Sequence, residues 1–357
     1  MTDPDLTFRH LFAAGTTSPL YCALLLIGRR LAPRVSATVA VHVAAVVLCL
    51  VPLSLVPVDL LLGCGGLAAA WALLLAVLNY GQIVFAWIVW RRIGSFPDEL
   101  DHLLGTTPLP ELGRLLGGVR RWLTTRSMAP FVLVAGLTAI LSYLAFSATR
   151  DSGSPCPTVV ALVLLTGVLA GHSAYFTTFG IWLSRRLMSF SALRVTWPAP
   201  INTPALVELS KTARLTAGLG LLLFVVAQPP LIYAFVMSRS PLVTVIYVGS
   251  FVLHLGYITV VGLVVQRWLS RRVDAEKRRA LTELAERIEA SRDRMDGLPH
   301  GGIRHAATLT ILRNYVDIYR AIDATPSSFL GSAVLTQYVA SLLAVALQFA
   351  IPIVARL

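Results

Sequence analysis

Three histidines lie inside long apolar stretches of the sequence: His42, His172 and His254. An ionisable side chain in such a stretch is a candidate for haem or metal ligation, for proton transfer or for ligand recognition. Neutral histidine also serves as a hydrogen-bond partner between packed helices, so a structural role is the alternative. Because His172 and His254 fall near the middle of their stretches, we take these two as candidates for binding a ligand or lining a pore.

The apolar stretches contain no Asp or Glu, and Asp59 falls in a turn between two of them. Carriers that are coupled to protons or sodium place a carboxylate within the membrane, so coupled transport is disfavoured. The sequence also contains no Walker loop and no His-Glu-x-x-His motif. Since His300 and His305 alone do not make a zinc site, we expect a non-enzymatic protein with no cofactor and no metal.

Two successive prolines stand within the fifth apolar stretch, in the sequence Gln228-Pro229-Pro230. They remove two backbone donors and leave the carbonyls of Val225 and Val226 without helical partners. Helix interruptions of this kind line binding cavities or act as hinges in membrane proteins, and a simple kink is the alternative.

The elements that must position these residues are seven apolar stretches, each long enough to cross a bilayer as a helix of roughly 20 residues. Apolar residues make up 56% of the 357-residue chain and charged residues 13%, with a mean hydropathy of +0.74. The sequence therefore predicts an all-α fold, a polytopic integral membrane helical bundle. The predicted spans are 36–56, 62–90, 129–148, 158–183, 214–238, 242–266 and 329–355.

The orientation follows from the distribution of Arg and Lys, which gather in cytoplasmic loops of membrane proteins. Of the 30 basic residues, 27 fall on one predicted side and three on the other. The N-terminus is therefore expected inside a bacterial cytoplasmic membrane and the C-terminus outside. The net charge of +12 is explained by these loops, so no nucleic-acid partner is expected. Within the cytoplasmic segment 1–35, the short apolar run Leu20 to Ile27 predicts an interfacial helix or a shallow entry into the bundle.

Residues 36–266 contain six of the spans, and a weak repeat arranges them as three hairpins. Phe85 followed by Arg91-Arg92 in the second span matches Phe179 followed by Arg185-Arg186 in the fourth, at the same spacing. Arg pairs and interfacial aromatic residues also mark inner helix ends in general, which is the alternative to a duplication.

The segment 267–327 predicts two cytoplasmic helices before the seventh span in 328–357. Nothing breaks a helix from Gln266 to Asp296, and Gly297 ends it, so the sixth span is expected to continue into the cytoplasm. Asp274–Arg278 and Glu283–Arg287 form favourable pairs one turn apart. A second amphipathic helix is predicted over about 303–322, and the two helices form a small bundle or an oligomer contact.

Three of the four cysteines, Cys49, Cys64 and Cys156, fall at or near the predicted outer ends of spans. A disulfide would persist on that side of the membrane. Cysteine is also an ordinary buried apolar residue, so the sequence leaves both interpretations open.

The last span carries Ser341-Leu342, five apolar residues and then Gln348-Phe349. In the insect gustatory and odorant receptor channels, the last helix carries Thr-Tyr, five apolar residues and then Gln-Phe. The chain resembles that family in its whole topology and over these nine residues, with Ser in place of Thr and Leu in place of Tyr. The resemblance implies a tetrameric ligand-gated cation channel. Its seventh spans would line the pore, its cytoplasmic helices 267–322 would anchor the tetramer, and a cavity among the earlier spans would bind a small molecule.

The leading hypothesis is thus a non-enzymatic membrane protein, an oligomeric ligand-gated ion channel or receptor whose partners are the lipid bilayer, a small molecule or ions, and further copies of the chain. A small-molecule permease or exporter is one alternative, and an intramembrane haem or metal protein or a membrane scaffold is another. The candidate ligand or pore residues are His172, His254, Gln228, Pro229, Pro230, Gln337, Ser341, Gln348 and Phe349.

Overall fold

A computed structural model of the protein describes residues 19–94, 97–105, 108–148, 156–190, 193–237, 241–297 and 302–356. All regular secondary structure in these ranges is helical. The helices are α1 (Pro19–Leu31), α2 (Ala37–Leu53), α3 (Val56–Leu61), α4 (Gly66–Ile93), α5 (Pro97–Leu103), α6 (Leu109–Trp122), α7 (Thr125–Ala148), α8 (Pro157–Met188), a 3-10 turn (Pro200–Asn202), α9 (Pro204–Met237), α10 (Pro241–Ile258), a π-helix (Thr259–Val264), α11 (Val265–Asp296), α12 (Ile303–Asp323) and α13 (Ser332–Arg356).

Six helical segments of the described chain are long and apolar enough to cross a membrane: Ala37–Leu61, Ala68–Arg92, Arg126–Leu144, Pro157–Met188, Val243–Asp296 and Leu335–Val354. They coincide with six of the seven predicted spans and confirm a multi-pass helical membrane bundle. The remaining predicted span, 214–238, lies in α9 and is helical, but it is not among the six. Seven spans and the inward N-terminus therefore stay predictions.

Close backbone contacts hold several of these helices together. A Cβ atom added to Gly171 of α8 would lie 2.6 Å from the carbonyl oxygen of Phe131 in α7, and one added to Gly28 of α1 would lie 2.0 Å from that of Ala40 in α2. Only glycine permits such approach, as is common where helices pack in lipid. Asn79 of α4 adds a polar link, because its Nδ2 donates to the carbonyl of Leu162 at 3.0 Å.

A disulfide and a capped helix join the predicted outer ends of the spans. Cys64, just before α4, is bonded to Cys156, just before α8. Asp59 of α3 is 5% exposed, and its carboxylate accepts a hydrogen bond from the backbone nitrogen of Thr158 at 3.2 Å. Cys49, the other candidate at this end, is a buried free thiol. The disulfide therefore selects one pair from the three cysteines that the sequence left open.

The sixth span continues into a long helix, as predicted. α10, the π-helix and α11 follow one another from Pro241 to Asp296 without a gap, and α12 occupies the predicted range of the second cytoplasmic helix. Lys277 of α11 fastens the end of α12, since its Nζ donates to the carbonyls of Asp323 and Thr325 at 2.7 and 2.8 Å.

One predicted ion pair on α11 is confirmed and the other is wrong. Asp274 pairs with Arg278 at 2.8 Å, whereas Glu283 pairs with Arg279 at 3.4 Å instead of with Arg287. Both arginines lie one turn from Glu283, so sequence spacing alone does not decide between them.

Two short helices, α5 and α6, fill the predicted cytoplasmic loop between the second and third spans. α6 is amphipathic, with Leu115, Leu116 and Val119 buried and Arg120 exposed. These leucines belong to the largest buried cluster of the described chain, which also includes Phe179 of α8. The main core therefore lies at the predicted cytoplasmic ends of the spans.

Candidate functional site

An apolar cavity of about 100 Å³ lies inside the bundle, among α1, α4, α8, α9 and the π-helix. Its walls include Leu24 of α1, Trp87 and Trp90 of α4, and Val261 of the π-helix. We call it the bundle cavity. Mostly apolar pockets with a few polar groups are typical of small-molecule sites between packed helices.

His172 lies on the wall of the bundle cavity and is 6% exposed. Its ring lies 4.7 Å from that of Phe176, one turn along α8, and Phe176 in turn meets Trp90 edge-on at 4.8 Å. The candidate histidine thus stands in an aromatic wall shared by α4 and α8. Such a wall favours a flat or compact apolar ligand.

Hydroxyl groups supply the polar part of the lining. Thr212 and Thr216, one turn apart on α9, line the cavity together with Ser184 of α8. Thr216 and Ser184 are buried, at 8% and 4% exposure. The Oγ1 atom of Thr212 is buried and has no hydrogen-bond partner within the described chain. A buried hydroxyl without a partner is unfavourable, so this oxygen is available to one polar group of a ligand.

Gly180 of α8 lies on the cavity wall and has no side chain that would occupy the cavity. A Cβ atom added there would meet nothing within 4 Å, although the residue lines the cavity. The position is therefore open on the cavity side and would accept a larger side chain into the cavity.

The π-helix connects the cavity to the last helix. Val261 lines the cavity, and its neighbour Gly262 lies against α13, where an added Cβ would be 2.3 Å from Cε1 of Tyr338. Tyr338 is 8% exposed. π-helical turns within α-helices are frequent at functional sites, and this one touches both the cavity and α13.

Helix α9 and the start of α11 are held together just beyond the cavity. Ser210 Oγ donates to Gln266 Oε1 at 2.8 Å, and Gln266 Nε2 donates to the Ser210 carbonyl at 2.8 Å. Both residues are fully buried. This reciprocal pair fixes the start of α11, directly after the π-helix, against α9.

The other candidate residues are spread over the bundle and do not join His172. Gln228 is buried in α9, which continues as a helix through Pro229 and Pro230, so the interruption that the prolines predict does not appear as a break. His254 lies in α10. The side chains of His254, Pro229 and Pro230 lie outside the described part of the structure.

The four candidates on α13 have different surroundings. Phe349 is half-buried and stacks on Phe251 and Tyr247 of α10, at 4.0 and 4.8 Å. Ser341 donates to the carbonyl of Gln337 at 2.8 Å. Gln337 is exposed, and Gln348 is half-buried.

Sequence reasoning missed most of the cavity wall. Trp90, Phe176, Thr212 and Thr216 were not candidates, because apolar and hydroxyl residues in a span look the same whether they face lipid or a cavity. One signal was available. Phe85 and Phe179, which occupy matching places in the weak repeat, both line the cavity.

The third histidine in an apolar stretch has a structural role. His42 Nδ1 lies 2.9 Å from the hydroxyl of Tyr80, which links α2 to α4. Of the three intramembrane histidines, His172 is the one whose described side chain reaches the bundle cavity.

Comparison of the chain with protein-family models, with curated proteins and with solved structures found no match.

Proposed function

We propose that the protein is a non-enzymatic ligand-gated channel or receptor that binds a small, largely apolar molecule in the bundle cavity. The observation that carries the proposal is the cavity beside His172, one wall of which is the π-helix that packs on α13. In the proposal, a ligand in this site acts through the π-helix on α13, and α13 is the helix that moves.

The lining defines the chemical class of the ligand. Aromatic rings and aliphatic side chains form most of the wall, and the Thr212 hydroxyl offers one hydrogen bond. A dry cavity of ~150 Å³ holds a molecule the size of benzene, so a cavity of about 100 Å³ suits a compact molecule of a few non-hydrogen atoms. We expect a small apolar compound with a single hydroxyl, amine or carbonyl group.

The route from ligand to last helix is short. A ligand that fills the cavity pushes on Val261, and the adjacent Gly262 bears directly on Tyr338 of α13. A ligand shifts a conformational equilibrium only if it binds one state better than the other. In the proposal, the cavity is larger in the state in which α13 has moved.

The surface of α13 supports assembly with further copies. Its large apolar side chains Leu335, Val339, Leu343, Leu347 and Ile351 recur every four residues and are 47 to 66% exposed. Gln337 is also exposed, but it stands two residues from both Leu335 and Val339 and therefore lies on the other side of α13. An amide in a span is more favourable in an interface or beside water than in lipid. In the proposal, the apolar face packs against a neighbouring copy, and the side that carries Gln337 turns toward the axis of a homotetramer and the path of the ions.

Native mass spectrometry and two-dimensional class averages of the protein in nanodiscs test the assembly. The proposal expects a symmetric ring, a tetramer above all, with ion currents when the same preparation is fused with a planar bilayer. A protein that is monomeric in nanodiscs of several lipid compositions would contradict it, since α13 would then have no axis to line. Substrate-dependent counterflow by such a monomer would instead identify a permease.

A further inference from the structure

A second cleft, of about 510 Å³, lies between α6 and the cytoplasmic end of α8. We call it the α6–α8 cleft. Arg114 and Arg121 of α6 and Arg186 of α8 line it, and Trp122 and Trp182 form its aromatic sides. It shares none of its lining with the bundle cavity, so the inference below is independent of the proposed function.

The cleft is strongly cationic. Three guanidinium groups face one carboxylate, that of Glu111, which leaves a net charge of +2 from three positive charges and one negative. In the part of the chain that the structure describes, no carboxylate forms an ion pair with any of the three arginines. Arg114 and Arg121 lie seven residues apart, two turns along one face of α6. This arrangement matches a phosphate, which arginine binds with paired hydrogen bonds.

The cleft has rigid sides. A Cβ atom added to Gly118 would lie 2.7 Å from the indole of Trp182, so α6 packs directly on that ring. The indole of Trp182 lies 6.0 Å from that of Trp122, and the Tyr175 hydroxyl donates to the Trp122 carbonyl. Because Leu115 beneath the cleft is 3% exposed, Arg114 and Arg121 extend from an anchored helix and not from a loose loop, and Arg186 extends from the long helix α8.

The position of the cleft favours a lipid over a soluble anion. α6 is an amphipathic helix beside the inner ends of two spans, on the side where the positive-inside rule places the cytoplasm. Tryptophan rings at this depth contact the glycerol and upper acyl region of a bilayer. Basic pockets between membrane helices on the cytoplasmic side bind anionic headgroups.

We propose that the α6–α8 cleft binds the phosphate of an anionic phospholipid from the cytoplasmic leaflet. Arg114, Arg121 and Arg186 hold the phosphate, and the two indoles contact the glycerol and the acyl chains. Glu111 weakens the binding by its negative charge.

The test is native mass spectrometry of the full chain released from nanodiscs of equal parts phosphatidylglycerol and phosphatidylcholine. We expect the wild type to retain phosphatidylglycerol selectively. The variant R114Q/R121Q/R186Q should lose this retention about tenfold, since each basic residue near the surface contributes to the attraction of anionic lipid. The variant R292Q/R294Q/R304Q, which makes the same charge change in the cytoplasmic helices, should retain the lipid as the wild type does.

The single variant Glu111→Gln gives a test of opposite sign that does not weaken the cleft, and we expect it to retain more phosphatidylglycerol than the wild type. Equal retention by the wild type and R114Q/R121Q/R186Q would overturn the proposal, as would equal retention of the two lipids. Competition with glycerol phosphate and with inorganic phosphate distinguishes a lipid site from a site for a soluble anion. If either displaces the lipid at millimolar concentration and binds in its place in a membrane-free detergent preparation, the cleft is a soluble-phosphate site and the assignment to lipid is wrong.

Discussion

In the proposed function, single side chains of the bundle cavity decide which molecule it accepts. His172 and Phe176 give an aromatic surface, Thr212 gives one hydrogen-bonding oxygen, and Gly180 leaves the space open. A ligand that reaches this place gains most of its affinity from shape and contact area, because lipid is already an apolar environment for it. The affinity for such a ligand should therefore depend more on the volume of the cavity than on its polarity.

Gly180→Leu should abolish binding of a small probe by filling the cavity. We would measure saturable quenching of tryptophan fluorescence by trichloroethanol in nanodiscs, since Trp87 and Trp90 line the cavity. The leucine side chain occupies most of a cavity of about 100 Å³, so we expect affinity to fall about tenfold or more, which corresponds to ~1.4 kcal/mol. Trichloroethanol that dissolves in the lipid quenches in linear proportion to its concentration, and this linear part is subtracted.

The matched control for that measurement is Gly218→Leu. Gly218 lies in the predicted fifth span, is exposed and has nothing within 4 Å of an added Cβ, but it does not line the cavity. The Gly218→Leu variant should show the same saturable quenching by trichloroethanol as the wild type. Equal saturable quenching by the Gly180 and Gly218 variants would show that the probe binds elsewhere.

Glu208 gives the contact between α9 and α4 a dependence on pH. A hydrogen bond from Lys211 holds the pKa of its carboxyl below the ordinary value of 4.5, burial opposes this, and Arg92 of α4 adds to the lowering. Because the folded-state pKa is depressed, the stabilisation is present above about pH 4.5 and is lost as the pH falls through the folded-state pKa. The melting temperature should therefore drop less between pH 6 and pH 3.5 in Glu208→Gln than in the wild type. The same drop in both proteins would contradict the assignment.

At the scale of elements, the π-helix and α13 form the contact on which gating depends in the proposed function. The Tyr338 ring fills the space that a side chain at Gly262 would occupy. Its hydroxyl oxygen also lies near that position, at 3.0 Å, but it is buried and has no hydrogen-bond partner within the described chain. We therefore expect the ring, and not the hydroxyl, to stabilise the contact.

Tyr338→Ala should weaken the docking of α13, and Tyr338→Phe should not. Removing the ring leaves a gap beside Gly262 and should lower the free energy of unfolding by ~2 kcal/mol, below the range for soluble cores because lipid tolerates exposed apolar surface. Removing only the hydroxyl should be neutral or slightly stabilising. Thermal unfolding of both variants in one detergent checks this. If the Phe variant were as unstable as the Ala variant, the Tyr338 hydroxyl would make a stabilising hydrogen bond, and the packing of the ring on Gly262 would not explain the docking of α13.

The disulfide between Cys64 and Cys156 staples the starts of α4 and α8 at the predicted outer face. A covalent link of this kind stabilises by ~2 kcal/mol or more. We expect reductant to lower the melting temperature of the wild type and of Cys49→Ala, and to leave C64S/C156S unchanged. Alkylation of both thiols in protein purified without reductant, detected by peptide mass spectrometry, would show that the bond does not form.

For the whole molecule, the architecture was predictable from sequence and the cavity was not. Apolar length and the absence of charge gave six confirmed spans, and Gly297 marked the end of α11 because glycine terminates helices. The cavity depends on which face of each span turns inward. Trp90 and Phe176 differ in no sequence property from aromatic residues that face lipid. The partner of Cys64 was likewise open, because Cys49 and Cys156 both fall at the same predicted side.

The central claim is that α13 lines an ion path in an assembly of several chains. Its most direct test is the conductance and cation selectivity of the purified protein in planar bilayers, with substitutions placed along α13 at Gln337, Ser341 and Gln348. Leu137→Ala on the exposed face of α7 serves as the control, since that residue is 59% exposed on another span. We predict altered conductance or selectivity for the α13 variants and unaltered conductance and selectivity for the control. Currents that stay the same across the whole α13 series would contradict it.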